Sequence, residues 1–366
     1  MTTQVDHKIY YSPNTFQSYG NEEMQAVLSY LKGTNCHPSK EESRTIISQF
    51  EEHICKLFGM KHGIFVNSGS SANLLACFGL NISEKDEVIT PACTFPTTLS
   101  PLIFCGAKIV FVDVAPGHFV PSVEQVLNLI SPKTTAILIP DLIGDEFDFS
   151  GLRSELLKIG RSDIRFIEDA CDTVRENSVA DIATISFYPS HIISAGGCGG
   201  MVLTNDDSIY SNMLKYMSSE SAWDLSAPSY CAAFGIENAK RFPEFKAARN
   251  RNLNIYINRL KDCSFYTLPK NHTAVWLSMA LICKSHRFEI IQELEARNIQ
   301  TRLCLAGNIL RQPFYSNLFP DEDPAAFVNT EIVFENGFLI GLHQGLSESD
   351  VNYVCDVLIE LANKFQ

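Results

Sequence analysis

Residues 164–205, IRFIEDACDTVRENSVADIATISFYPSHIISAGGCGGMVLTN, hold three short apolar runs: IRFIED (164–169), DIATISF (181–187) and GGMVLTN (199–205). Each is short, rich in β-branched residues and bounded by polar or glycine-rich turns, the pattern of a strand buried on both faces. Towards the N-terminus the texture repeats in HGIFVNS (62–68), DEVIT (86–90), KIVFVDV (108–114) and TTAILIP (134–140), with helical ANLLACFGL, VEQVLNLI and LRSELLKIG between them. Seven such runs, most separated by helices, predict an α/β fold with a mainly parallel seven-stranded sheet and helices on both faces. Ligands of such sheets bind beyond the carboxyl ends of the strands. NSGSS, IED and SFYPSH therefore fall where a site is expected.

The flanks are more helical. In EESRTIISQFEEHICKLFG, residues Ile46, Ile47, Phe50, Ile54, Leu57 and Phe58 share one face, and Gly59 ends the helix. From about residue 235 the pattern shifts to long helical stretches, such as the one around GIENAKRFPEFKAARNRNLNIYINRL, with TAVWLSMAL as a strand. A final helix opens on a capping box from Ser347 to Asp350, before Val351, Val354, Leu358 and Leu361. We expect a large unit over residues 1–235 and a smaller α+β C-terminal unit over 236–366.

The net charge of −13 argues against nucleic acid or an anionic membrane as the main partner. The 12 cysteines are scattered singly, with no CxxC or CxC, which fits reduced thiols better than a metal site or a disulfide framework. MTTQVDHKIYYSPN has no apolar core of a leader, and no apolar run reaches membrane-span length. A cytoplasmic protein is expected, with no metal.

Four segments could carry chemistry. NSGSSANLL puts Gly69, Ser70 and Ser71 between a strand and a helix, where amide and hydroxyl donors can bind phosphate; by itself it could be only a turn. Phe95 follows a strand and could stack on a flat heterocycle or simply pack. Asp169 ends a strand, where a carboxylate can hold a ring nitrogen protonated or cap a helix. SFYPSHIISAGGCGG holds Ser186 and His191, a residue able to move protons near neutral pH. Its glycines do not form the GxGxxG of a dinucleotide site.

In this order the four segments resemble the DegT/DnrJ/EryC1/StrS family of sugar aminotransferases, of pyridoxal-phosphate fold type I. The resemblance covers nearly the whole chain through NSGSSANLLA, FPTT, VFVDV, IEDACD, SFYPSH, TRLCLAGNILRQP and GLHQGLS. It implies that Gly69, Ser70 and Ser186 hold the cofactor phosphate, Phe95 stacks on the ring, Asp169 pairs with the ring nitrogen and Asp172 lies near the ring hydroxyl. Arg302, Asn308 and Arg311 are candidate contacts to substrate or glutamate. Where the aminotransferases carry their cofactor-bonding lysine, this chain has His191, and SFYPSHIISAGGCGG contains no lysine. A lysine-less branch of the family looks like this: the 3-dehydratases of nucleotide-linked 4-keto-6-deoxyhexoses.

With no CxC, the chain is similar to the branch without an iron–sulfur cluster, which resembles GDP-4-keto-6-deoxymannose 3-dehydratase. That branch uses pyridoxal or pyridoxamine phosphate and regenerates the amine form with glutamate. A homodimer is implied. The chain departs from the family pattern at Asp141, Cys198, Asp224 and Ser226. A different reaction on the same cofactor, such as transamination, or a non-catalytic partner subunit stay open beside dehydration.

Overall fold

The computed structural model describes residues 7–13, 18–217, 224–272 and 274–366. The seven expected runs form one sheet: β1 (His62–Val66), β2 (Glu87–Pro91), β3 (Lys108–Val112), β4 (Thr134–Pro140), β5 (Arg165–Asp169), β6 (Ile182–Ser186) and β7 (Gly200–Thr204), in the order β1-β7-β6-β5-β4-β2-β3. β7 runs antiparallel to both neighbours, and the other pairings are parallel.

Side-chain alternation explains the continuous apolar runs. In β4, Ala136 and Leu138 join a cluster with Leu75, Ala76 and Met213, while Ile137 and Ile139 join Phe149, Leu152 and Leu156 on the other side. The first cluster is roofed by α3 (Gly69–Gly79) and α7 (Asp207–Tyr216), the second by α6 (Phe149–Lys158). Both faces are therefore covered, which is why these strands lack polar alternation.

Ahead of the sheet come α1 (Asn21–Gly33) and α2 (Lys40–Phe58). Ser39 and Glu42 form a capping box on α2, and Gly59, at φ 64°, closes it in the left-handed conformation. Two short helices, α4 (Pro96–Phe104) and α5 (Val123–Leu127), follow β2 and β3. After the sheet, the long helical stretch is split into α8 (Ser229–Lys240) and α9 (Phe242–Leu260), the second with a proline in its first turn. The expected division at 235/236 falls inside α8, where Gly235 lies against Phe50 of α2.

A second, antiparallel sheet follows: β8 (Tyr266–Thr267), β9 (Met279–Cys283), β10 (Thr301–Leu303) and β11 (Gly337–Ile340), in the order β10-β11-β9-β8. It is flanked by α10 (Arg287–Ala296), α12 (Val328–Asn336) and α13 (Glu348–Phe365), whose capping box is the expected Ser347–Asp350 pair, while α11 (Pro313–Leu318) packs through Tyr315 against Leu99 of α4 and Phe111 of β3. The N-terminal segment joins this part, with Ile9 bridging to Ile299.

TAVWLSMAL corrects one expectation. Only Met279 onward is strand, and Thr273 lies outside the described residues. The backbone from Val275 to Leu277 is bonded elsewhere: Thr173 Oγ1 donates to Val275 O at 2.9 Å, and Arg249 Nη1 donates to Trp276 O and Leu277 O at 3.1 and 2.8 Å. Side chains replace the ladder, so the apolar run packs without being a strand. Among the described residues no helix is long and apolar enough to cross a membrane.

The junction of β7 with the first turn of α3 has no spare room. A Cβ on Gly200 would stand 2.4 Å from Ser68 C and O and 2.6 Å from Gly69 N, all backbone atoms. Gly200→Ala is expected to cost about 1–3 kcal/mol in denaturant unfolding, as overpacked sites do. Gly33→Ala, at the end of α1 with nothing within 4 Å, is the clash-free control and is expected to lose no stability.

Candidate active site

Because β7 alone runs against the rest, the carboxyl ends of β1, β4, β5 and β6 and the start of β7 meet at one edge. Pro140, Asp169 and Ser186 are the last residues of their strands, and all three line one cavity of about 520 Å³. Asn67, Ser68, Gly69 and Ser70 enter from the β1–α3 turn, Phe95 from the start of α4, and Tyr188, Ser190, His191, Cys198 and Gly199 from the β6–β7 loop. Tyr11, Leu277 and Leu305 close the cavity from residues beyond the large sheet.

The floor is Asp169, only 4% exposed. Its Oδ2 accepts hydrogen bonds from Asn73 Nδ2 at 2.8 Å and Thr98 Oγ1 at 2.7 Å, and its Oδ1 accepts from Cys171 N at 3.2 Å. Thr184 Oγ1 in turn donates to Asn73 Oδ1 at 2.6 Å, which fixes the amide orientation that Asp169 needs. A carboxylate aimed in this way can face a cationic ring nitrogen.

At the turn, Ser68 caps the eleven-residue α3: its Oγ accepts from Ser71 N at 3.1 Å and its carbonyl from Ala72 N at 3.0 Å. Gly69 and Ser70, the remaining residues of that first turn, line the cavity, at the end of a helix that favours anions. Gly69 is required there, since a Cβ would come within 2.8 Å of Ser186 Cβ and Cys171 Sγ. Phe95 leaves 44% of its surface open at the wall. A helix N-terminus with hydroxyls, an open aromatic face and an anchored carboxylate lining one cavity suit a flat phosphorylated pyridine ring.

His191 and Asp172 share the wall. His191 Nε2 lies 4.0 Å from Asp172 Oδ1, too long for a hydrogen bond, and the buried Nδ1 has no hydrogen-bond partner among the described residues. Burial pushes the imidazole down to about 4, so it is neutral at neutral pH. Asp172 accepts from Ile143 N at 2.9 Å, yet burial pushes its carboxyl up to about 7.

Not every expected residue reaches the cavity. Ser71 donates its hydroxyl to Asn67 Oδ1 at 2.6 Å and does not line it. Asn308, fully buried, donates to Glu331 Oε1 at 2.6 Å and Pro324 O at 3.1 Å, and its backbone bridges to Cys93. Arg311 spends its fork on Glu331. Glu331 thus pairs with both, and neither lines the cavity. Arg302 lies over the Tyr11 ring at 5.7 Å, beside the cavity but not in its wall.

The departures from the family pattern also find places. Asp141 is buried with Glu168, and both share Arg175, at 3.3 and 2.9 Å; burial holds the Asp141 carboxyl well above its usual range. Asp224 Oδ1 accepts from Ser226 N at 3.0 Å, and its carbonyl accepts from Asn67 Nδ2 at 3.3 Å. Sequence reasoning did not single out Asn73, Thr98 and Thr184. The available signal was polar residues at fully buried positions inside apolar elements.

The two shifted groups predict a pH signature. Between about pH 4 and 6.5, folding keeps the proton off His191, so its contribution is present above 6.5 and lost as pH falls. Asp172 acts oppositely between its ordinary 3.8 and about 7, with its contribution present below that window and lost as pH rises. In the shared window the two cancel. Asp172→Asn is therefore expected to gain stability with rising pH by about 1.4 kcal/mol per unit relative to the wild type between pH 4 and 6.5. His191→Asn is expected to show the opposite slope. Urea unfolding at several pH values reads both, and parallel curves for all three proteins would contradict the assigned shifts.

The chain is similar to several known proteins. A relative from Saccharopolyspora spinosa, dTDP-4-dehydro-2,6-dideoxy-D-glucose 3-dehydratase, is 27% identical over 378 residues, covering 86% of this chain and 80% of its own. GDP-perosamine synthase of Caulobacter vibrioides is 28% identical over 340 residues, covering 85% and 89%. The solved structure of E. coli GDP-4-keto-6-deoxy-D-mannose-3-dehydratase with bound hydrated PLP superposes with a TM-score of 0.84 at 22% identity, over 96% of this chain and 99% of that one. The fold is thus that of the fold type I pyridoxal-phosphate enzymes. The sequence model of one family matches residues 17–359. With nearly its whole length matched, the chain belongs to the DegT/DnrJ/EryC1/StrS aminotransferase family.

Proposed function

We propose that the protein is a pyridoxal- or pyridoxamine-phosphate-dependent 3-dehydratase of a nucleotide-linked 4-keto-6-deoxyhexose, working as a cytoplasmic homodimer with glutamate as amino donor. The observation that carries this reading is His191 in the cavity wall, with no lysine lining the cavity among the described residues. Two of the relatives named above are 3-dehydratases. The perosamine synthase keeps transamination as the competing reaction.

Gly69, Ser70 and Ser186 would hold the cofactor phosphate, Phe95 would cover the ring, Asp169 would hold the ring nitrogen protonated and Asp172 would meet the ring hydroxyl. When bound, the cofactor supplies an electron sink for the carbon that loses a proton. The rest is done by the chain. His191 enters neutral, takes a proton at Nε2 and can return one to the departing 3-hydroxyl, which leaves as water. A secondary ring nitrogen forms no lasting Schiff base, so His191 limits itself to proton transfer where a lysine would bond covalently. The apolar residues Leu142, Leu277 and Leu305 lining the cavity limit water around that step. Arg302, beside Tyr11 at the cavity, is the remaining candidate for a substrate anion.

The test combines spectra and products. The wild type should bind pyridoxal phosphate without a covalent adduct after borohydride, and glutamate should convert it to the amine form. His191→Lys should trap the cofactor covalently. His191→Asn should keep cofactor binding while 3-deoxy product falls by about 10²-fold or more, the usual worth of a general acid–base group. An amino-sugar product would assign transamination instead. Failure of both wild type and His191→Lys to bind cofactor would assign a non-catalytic partner role.

A further inference from the structure

Cys198 lines the cavity, and its Sγ stands 3.3 Å from Sγ of Cys231, a buried residue on α8. This contact is one of three that seat the loop carrying His191 on a single stripe of that helix. Ser194 N donates to Asn238 Oδ1 at 2.9 Å, and Gly196 packs on the Phe234 ring, where a Cβ would sit 3.1 Å away. Positions 231, 234 and 238 follow the i, i+3, i+7 spacing of one helix face. Only the first of the three contacts can become covalent.

We propose that Cys198 and Cys231 are a redox-responsive thiol pair whose disulfide fastens the His191 loop to α8. The oxidant is a hydroperoxide, the class able to enter through the cavity. The Cys198 thiolate attacks one peroxide oxygen, the O–O bond breaks, and the sulfur becomes a sulfenic acid as the first water leaves. The Cys231 sulfur then attacks the Cys198 sulfur, an S–S bond forms, and the sulfenic oxygen leaves as the second water. Two thiols lose two electrons and two protons, and one hydrogen peroxide becomes two waters. Cys198 meets the oxidant first because it lines the cavity, and Cys231, buried behind it on α8, is placed to attack second. The two sulfurs need to close from 3.3 Å to the bonded distance of about 2.05 Å. The pairing rests on this loop-to-helix geometry alone and stands whichever reaction the cavity performs.

The full-length reduced protein is treated with hydrogen peroxide, remaining thiols are alkylated, and a non-reducing tryptic digest is read by mass spectrometry. The two cysteines lie in different tryptic peptides, since Lys215 separates them. A linked pair lighter by two hydrogens, formed ahead of links between the other cysteines and released by dithiothreitol, is the expected result. It should vanish in Cys198→Ser and in Cys231→Ser. Oxidation should also shift the thermal unfolding midpoint of the wild type upward, because the link closes a 33-residue span, and leave both variants unshifted. Cys198 recovered unreacted, or as sulfinic acid without a partner, in protein with an unchanged circular dichroism spectrum would overturn the proposal.

Discussion

The Asp169 carboxylate organises much of this molecule. It sits at the end of a strand buried on both faces, where an unpartnered charge would be too costly to keep. Asn73 from α3 and Thr98 from α4 supply the donors, and Thr184 of β6 holds Asn73 in the required orientation. Meeting one charge thereby ties the helices after β1 and β2 to the strands β5 and β6. The same ties bring the β1–α3 turn and the start of α4 to the cavity, so the turn, Phe95 and Asp169 surround one space. Satisfying the buried charge and assembling the site are one structural event.

Behind that floor the chain carries a second set of buried charges. Asp141 and Glu168 share the single guanidinium of Arg175, and Ser178 donates a hydrogen bond to Glu168. With two acids against one base, burial holds the Asp141 carboxyl well above its usual range. His191 and Asp172 follow the same rule inside the cavity: near neutral pH the histidine is uncharged and the aspartate is at its balance point. The wall of the cavity therefore holds little fixed charge, and the field there is set by Asp169 and by the first turn of α3.

Much of this was legible. The seven strand runs, the caps at Gly59 and Ser347, and the cavity positions of Gly69, Ser70, Phe95, Asp169, Asp172, Ser186 and His191 followed from pattern and resemblance. The pairing of Asn308 and Arg311 with Glu331 was not legible, because Glu331 on α12 lies 20 or more residues away in sequence and nothing local announces that both bond to it. Ala274–Ser278 reads as strand, yet its carbonyls are claimed by Arg249 from α9 and by Thr173 from the loop after β5.

The sequence alone determined the elements and the site's chemical vocabulary, because hydrophobic periodicity, capping and turn chemistry act over a few residues. It also determined the absence of a lysine from the β6–β7 loop. Only the tertiary structure decided which polar groups face the cavity and which are consumed in holding elements together. It alone set the protonation of His191 and Asp172, which depends on burial, and it alone put Cys198 beside Cys231. Burial and pairing across long separations are properties of the packed chain, and no local stretch of residues contains them.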